Sequence, residues 1–260
     1  MDLSNFFRLA LILLALAPWT PSFAGNLPPP FEAVYRVELA GLSLGEVLIS
    51  LEYANGRYVY KKTTRTRGLL SFFRNDTIRE VSKGIVSDNR IHPRSYLYEY
   101  RKRGKTRRSE IHFNASGKAS GHEHGREFTL DAPGDVYDRA SVELALMRDA
   151  GAGALAYEVV EKGKLMRYRF KSVGDKAMDL PIGRVGCREY EVVRSTTKRS
   201  TSMCLAEGGE YASLPVWATH NERGSSFKML LERVTLRPRL ARPARKKTDA
   251  GDPQGLMSWD

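Results

Sequence analysis

Three small clusters in this chain have residue types that could do chemistry. His122-Glu123-His124 would put two imidazoles on one face of a strand, a spacing that suits a transition metal, but no third ligand stands nearby. A solvated loop edge is the favoured reading, so no metal and no cofactor is expected. Asp135 and Asp138 stand close to Ser141 at the start of a predicted helix. An acid pair beside a hydroxyl could suggest catalysis, yet capping of the helix N-terminus accounts for all three. Tyr96, Tyr98 and Tyr100 alternate along a predicted strand and share a face. They could stack on sugar rings, but one packed face of a sheet is the commoner use of that pattern. The chain has no phosphate loop, H-E-x-x-H or G-x-G-x-x-G dinucleotide fingerprint. No catalytic residue is assigned, and an enzyme is the less favoured class.

Two stretches look built for contact rather than reaction. Leu69, Leu70, Phe72 and Phe73 are flanked by Arg65, Arg67 and Arg74. Apolar side chains ringed by cations suit an amphiphilic ligand or a lipid headgroup region; the alternative is a plug at one end of a barrel. Arg101, Lys102, Arg103, Lys105, Arg107 and Arg108 place six cations around one turn at Gly104. Such a tip could contact an anion or a membrane surface, and otherwise is a solvated turn. The only two cysteines, Cys187 and Cys204, fall on successive predicted strands. A turn centred between Ser195 and Thr196 sets them directly opposite, so a disulfide is expected.

The elements that hold these residues are strands. From Phe31 to Thr66 the sequence alternates apolar and polar residues through three runs, which is an antiparallel meander. A loop over residues 41–45 would pair Leu39 with Val47, Val37 with Ile49 and Tyr35 with Leu51. Asn55-Gly56 is a two-residue turn signal and pairs Tyr53 with Tyr58 and Leu51 with Tyr60. The same alternation recurs to Leu236, with one weaker strand over residues 121–130 and a separate one over residues 175–180, and is interrupted at His92-Pro93 and by a helix near residues 138–150. About ten to twelve strands and one helix are expected. The fold class is all-β: a predominantly antiparallel β-barrel, half-barrel or sandwich with one covering α-helix. Residues 25–236 read as a single β domain.

The ends differ from this body. Residues 1–24 have a secretory signal pattern: a cation, the apolar run of residues 9–16, then small residues in Ser22-Phe23-Ala24, with cleavage expected after Ala24. Residues 237–260 form a basic, proline-bearing tail expected to be disordered. An exported chain is periplasmic, which suits a disulfide. After cleavage no transmembrane segment is expected. The net charge of +12 on 260 residues points to anionic partners. In the envelope these are anionic lipid or lipopolysaccharide, or an envelope protein partner, rather than nucleic acid.

Short motifs in a fixed order add a family. They are Val34-Tyr35 leading to Gly41-Leu42-Ser43-Leu44-Gly45-Glu46, then Arg67-Gly68-Leu69-Leu70, and His92-Pro93. Tyr137-Asp138-Arg139-Ala140-Ser141, Leu180-Pro181-Ile182-Gly183 and Leu214-Pro215-Val216 follow. In this order the chain resembles the bacterial exported family known as domain of unknown function 3108. The resemblance implies a signal-bearing envelope protein rich in antiparallel β structure, and it supplies no catalytic residue. The expected function is non-enzymatic binding of an apolar or amphiphilic envelope component, or a role in envelope assembly. The alternative is an envelope glycan hydrolase or lyase.

Overall fold

The computed structural model describes residues 27–67, 76–123, 125–152, 154–193, 199–222 and 224–237. The expected signal peptide, the cluster Leu69, Leu70, Phe72 and Phe73, and the tail beyond Arg237 lie outside the described residues. The strands are β1 Phe31–Leu39, β2 Leu42–Ala54, β3 Arg57–Thr66, β4 Thr77–Ser87, β5 Arg90–Lys102, β6 Lys105–Phe113, β7 Lys118–Glu123 and β8 Arg126–Asp131. They continue as β9 Val136–Tyr137, β10 Ala154–Glu161, β11 Lys164–Leu180, β12 Gly183–Val193, β13 Arg199–Ala206, β14 Pro215–Glu222 and β15 Ser225–Leu236. Among the described residues one α-helix, α1 Ser141–Arg148, lies between β9 and β10.

All fifteen strands join one sheet in the order β8-β7-β6-β5-β4-β3-β2-β1-β15-β14-β13-β12-β11-β10-β9. The last strand pairs with β1, so the first and last strands meet in the middle of the sheet. Beyond it, Arg237 is tied to the start of β1: its N–H donates to the Pro30 carbonyl at 2.8 Å and its guanidinium pairs with Glu32 at 2.6 Å. The free edges are β8 and β9, and no ladder joins them. The sheet is therefore open, which corrects the closed-barrel form among those expected. The strand count also exceeds the expected ten to twelve. Residues 121–130, read as one weak strand, turn back at Gly125 to make β7 and β8.

Antiparallel order gives the sheet two rims. One is formed by the ends of β1, β3, β5, β7, β10, β12 and β14; the other by the starts of these strands. Register within the meander is part expected and part corrected. Tyr53 pairs with Tyr58 and Leu51 with Tyr60 across Asn55-Gly56, both at positive φ. The first hairpin turns tightly over Ala40-Gly41 instead of residues 41–45, at φ 50° and 79°. Val47 thus faces Tyr35, Ile49 faces Ala33 and Leu51 faces Phe31. The slip is an even number of residues, so every side chain keeps its face.

Two further expectations shift for backbone reasons. His92-Pro93 does not interrupt the chain: β5 passes through it at a bulge opposite Lys83 and Gly84. Proline lacks an N–H for the ladder, and a bulge accommodates that loss. Gly84 is needed there, because a Cβ would sit 2.1 Å from the His92 carbonyl oxygen and 2.7 Å from the Tyr58 ring. Residues 175–180 are not a separate strand but the end of the 17-residue β11, which bends at Ser172 and Gly174.

The buried face carries Phe31, Tyr35, Leu51, Tyr58, Tyr60, Tyr96, Ile111, Tyr190, Val216 and Leu231. Helix α1 packs on this face and buries Val142, Leu144, Ala145, Leu146 and Met147. It is eight residues long, shorter than expected, and a helix of that length is not stable alone in water. Tertiary contacts hold it, and they come from both arms of the sheet.

Candidate ligand pocket

Between α1 and the inner face lies a pocket of about 450 Å³. Its wall follows register partners across the sheet. Ile78 pairs with Thr64, and Thr64 with Val47. On the other side of β1, Val37 pairs with Met229, Met229 with Ala218, and Ala218 with Met203. One row deeper, Ile49 sits beside Lys62, while Leu205 and Pro215 close the far side. Helix α1 supplies Glu143 and Met147. Phe227 and His220, a register pair near the rim, stand at the mouth, where Phe227 is 37% exposed. Three of the chain's seven methionines, Met147, Met203 and Met229, converge on this space. Methionine is unbranched and polarizable, and it suits a wall that must adapt to what it holds.

The polar groups of the pocket are few and fixed. Lys62 Nζ stands 2.5 Å from Glu143 Oε1, and Tyr60 OH donates to Glu143 Oε2 at 2.9 Å. Burial pushes the Lys62 ammonium down, but the Glu143 and Glu80 carboxylates outweigh it and hold the group above the usual lysine range. Lys62 therefore stays charged at neutral pH. At the mouth, Thr201 Oγ1 and His220 Nδ1 are 2.9 Å apart, and His220 Nε2 lies 3.6 Å from a Glu222 oxygen.

Behind the pocket, the turn Tyr137-Asp138-Arg139-Ala140-Ser141 anchors α1 through buried polar contacts. Asp138 Oδ1 accepts the N–H groups of Ala140 and Ser141, each at 2.8 Å, and Ser82 Oγ donates to Asp138 Oδ2 at 2.6 Å. Burial raises the Asp138 carboxyl to about 6, against the pull of those donors. The Arg139 guanidinium lies 3.5 Å from Glu80 and 5.5 Å from the Tyr98 ring centre. Burial would raise Glu80, but Arg139, Lys62 and the Tyr96 hydroxyl bring it below the ordinary range. At the other end of α1, Arg148 pairs with Asp149, which accepts from Tyr157 OH at 2.8 Å. Asp138, one of the two residues expected to cap α1, braces the turn that leads into it, while the N-cap position itself is Ala140 and carries no side-chain cap. Asp135 instead pairs with Arg90.

The remaining predicted residues lie elsewhere. Tyr96 is buried with its hydroxyl on Glu80 at 2.6 Å, Tyr98 lies under Arg139, and Tyr100 donates to Asp76 at 3.1 Å. The six cations Arg101, Lys102, Arg103, Lys105, Arg107 and Arg108 ring the β5–β6 turn, where Arg101 pairs with Glu99 at 2.6 Å and Arg108 pairs with Glu110. His122 is exposed and pairs in register with Glu110, while His124 lies outside the described residues. Among the described residues no three His, Cys, Asp or Glu side chains are grouped to hold a metal. Glu123 accepts the Gly163 N–H at 2.7 Å, and the Phe128 ring packs on Gly163, so the β8 edge touches the β10–β11 turn.

Cys187 and Cys204 form a disulfide, with Cα atoms 5.4 Å apart. They do not sit directly opposite: Cys187 pairs with Ala206 and Cys204 with Glu189. The bridge runs on the diagonal because the strand register is two residues from the expected one. Among the described residues no helix is long and apolar enough to cross a membrane.

Sequence reading placed the meander as scaffold and missed that Val37, Val47, Ile49, Lys62 and Thr64 also wall a pocket. The contributions of β13, β14 and β15 went unnoticed. A signal existed: Thr201, Met203 and Leu205, and Phe227 and Met229, alternate with polar residues.

A family model described as "Protein of unknown function (DUF3108)" matches residues 34–232. No curated protein matches the chain.

Proposed function

The chain belongs to the DUF3108 family, and on that footing we propose that it is an exported, non-enzymatic binding protein that holds an apolar or amphiphilic envelope component against α1. We read the open sheet as a half-barrel curled on the helix, with the periplasm as its compartment. The observation that carries this reading is the pocket. Its volume of about 450 Å³ lies in the usual range for small-molecule sites, about 300–1,000 Å³. Its wall is chiefly Val, Ile, Leu, Met and Phe, with few polar groups to orient a ligand. That space suits a single acyl chain rather than a whole lipopolysaccharide. The nearby carboxylates are engaged: Glu143 by Lys62 and Tyr60, Asp138 by Ser82 and two backbone N–H groups, Glu80 by Tyr96 and Arg139.

Native mass spectrometry of the gently purified protein is expected to show a lipid adduct. The delipidated protein should take up a fluorescent C18 fatty acid, and Ile49→Trp with Met203→Trp should reduce that uptake at least tenfold. A protein that carries no adduct and takes up no fatty acid would refute the proposal. N-terminal sequencing of the secreted product tests cleavage after Ala24 separately.

A further inference from the structure

We propose that the rim bearing the pocket mouth docks onto an anionic lipid bilayer. Three features meet there, brought together by strand order. The first is apolar. Leu42 is 69% exposed and Phe227 37% exposed, and both pair in register with Leu39 at the end of β1. Single exposed apolar residues are ordinary on any surface. These, however, stand on adjacent strand ends beside the pocket mouth, with Leu39 between them.

The second feature is charge. The β5–β6 turn at Arg103-Gly104 reaches the same rim, because β5 and β1 run toward it together. Arg101 and Arg108 are paired with Glu99 and Glu110, whereas Arg103, Lys105 and Arg107 are exposed and have no ion-pair partner among the described residues. The opposite rim mixes its cations with Asp88, Asp135, Asp179, Glu207 and Glu210. The mouth rim also carries Glu123, Glu127, Glu161 and Glu222, and exposed Arg57 and Arg94 lie toward the other rim, so the contrast is local: three unpaired cations gather at the single β5–β6 turn. Apolar tips flanked by Lys and Arg fit the boundary between headgroups and acyl chains. Each cation held close to an anionic surface is worth roughly fivefold in affinity.

The third feature is the pocket. Its mouth at Phe227 and His220 opens on this rim, so a docked molecule would present the pocket to the bilayer. Docking itself does not depend on the pocket being filled, and its test does not use a pocket ligand.

The test is co-sedimentation of the chain lacking residues 1–24, at physiological salt, with vesicles of phosphatidylcholine and phosphatidylglycerol at 3:1 or of phosphatidylcholine alone. Binding to the anionic vesicles and not to the neutral ones is expected. Combining Arg103→Glu, Lys105→Glu and Arg107→Glu should weaken it at least tenfold. Leu42→Ser with Phe227→Ser should weaken it several-fold while leaving the slope of its salt dependence unchanged. Arg94→Glu, exposed on β5 toward the other rim, should leave it unchanged. All of these positions are exposed or at the rim, and circular dichroism checks that each variant folds. The proposal is overturned if neutral vesicles bind equally. It is overturned also if the triple reversal changes nothing, as binding through the basic residues beyond Arg237 alone would produce. Binding to soluble dextran sulfate without binding to vesicles likewise overturns it. Fatty-acid uptake that survives the triple reversal shows that a failure here is a failure of docking and not of the pocket.

Discussion

The Lys62–Glu143 pair offers a quantitative probe of the pocket. Both side chains are largely buried, at 18% and 20% exposure, and Nζ and Oε1 are 2.5 Å apart. Removing one partner of a buried pair leaves an uncompensated charge, at a cost of about 3–5 kcal/mol when burial is complete. Partial exposure lowers this, so Lys62→Met should destabilise by roughly 2–4 kcal/mol. The loss arises because Glu143 would keep only the Tyr60 hydroxyl. Adding Glu143→Gln removes the stranded charge and preserves an acceptor for Tyr60. The double variant should therefore regain most of the loss, giving a coupling energy of about 2 kcal/mol. Urea unfolding of the four proteins at pH 7 measures it. The pair is intact at that pH because Lys62 is held above the normal lysine range; its contribution is present below the unfolded pKa and is lost as pH rises through the folded one. A double variant whose loss equals the sum of the two single losses would show that the pair is not coupled, and would falsify the description of a charged pocket wall.

Two further perturbations test the frame that holds the pocket. The Cys187–Cys204 bridge spans 17 residues, for which loop entropy gives about 3 kcal/mol; Cys187→Ala with Cys204→Ala should lower stability by that order in urea unfolding, and no change would mean the bridge constrains nothing. Asp138 titrates near 6 in the fold because it is buried, against 3.8 as its ordinary value. A carboxyl raised on folding favours the protonated native state, so its contribution weakens stability as pH rises from about 4 to 6. The shift of about two units corresponds to roughly 3 kcal/mol. Asp138→Asn keeps the acceptor for Ala140 and Ser141 and removes the titration. Relative to the natural chain it should gain about that much stability between pH 4 and pH 7; a difference independent of pH would show that Asp138 does not titrate in this range.

Much of the fold was legible because a strand's side-chain period survives errors in register. The first hairpin was misplaced, yet Tyr35, Val47 and Ile49 stayed on the inner face, since the slip was even. The disulfide was found for a related reason: cysteines two positions out of register on neighbouring strands can still meet on the diagonal. Strand boundaries were less legible. Pro93 reads as a break, and only the bulge beside it on β5, opposite Lys83 and Gly84, shows that it is not one. The pocket was hidden for another reason. Its wall comes from β1, β2, β3, β4, β13, β14 and β15 and from α1, and its two sides are joined only where the first strand pairs with the last. Val47 and Met203 look like any inward residues until that pairing places them across one space.

Sheet width explains why such a space exists. Closed barrels of about 16–18 strands enclose an aqueous lumen that their own side chains cannot fill. A sheet of fifteen strands approaches that size. This chain leaves the edges β8 and β9 unjoined by any ladder and packs α1 on the inner face instead. The helix carries apolar residues around most of its circumference, which suits contact with both arms. Its polar anchors differ at its two ends. Asp138 and Arg139 reach Ser82 on β4, Glu80 on β4 and Tyr98 on β5, while Asp149 reaches Tyr157 on β10. Toward the β1–β15 centre of the sheet, α1 presents Glu143 and Met147, and the space of about 450 Å³ remains between them and the strands. An eight-residue helix cannot cover an inner face this broad. What it leaves uncovered is chiefly apolar, adjoins the rim that carries the β5–β6 cation cluster, and is lined by methionines, whose adaptability suits the binding role proposed.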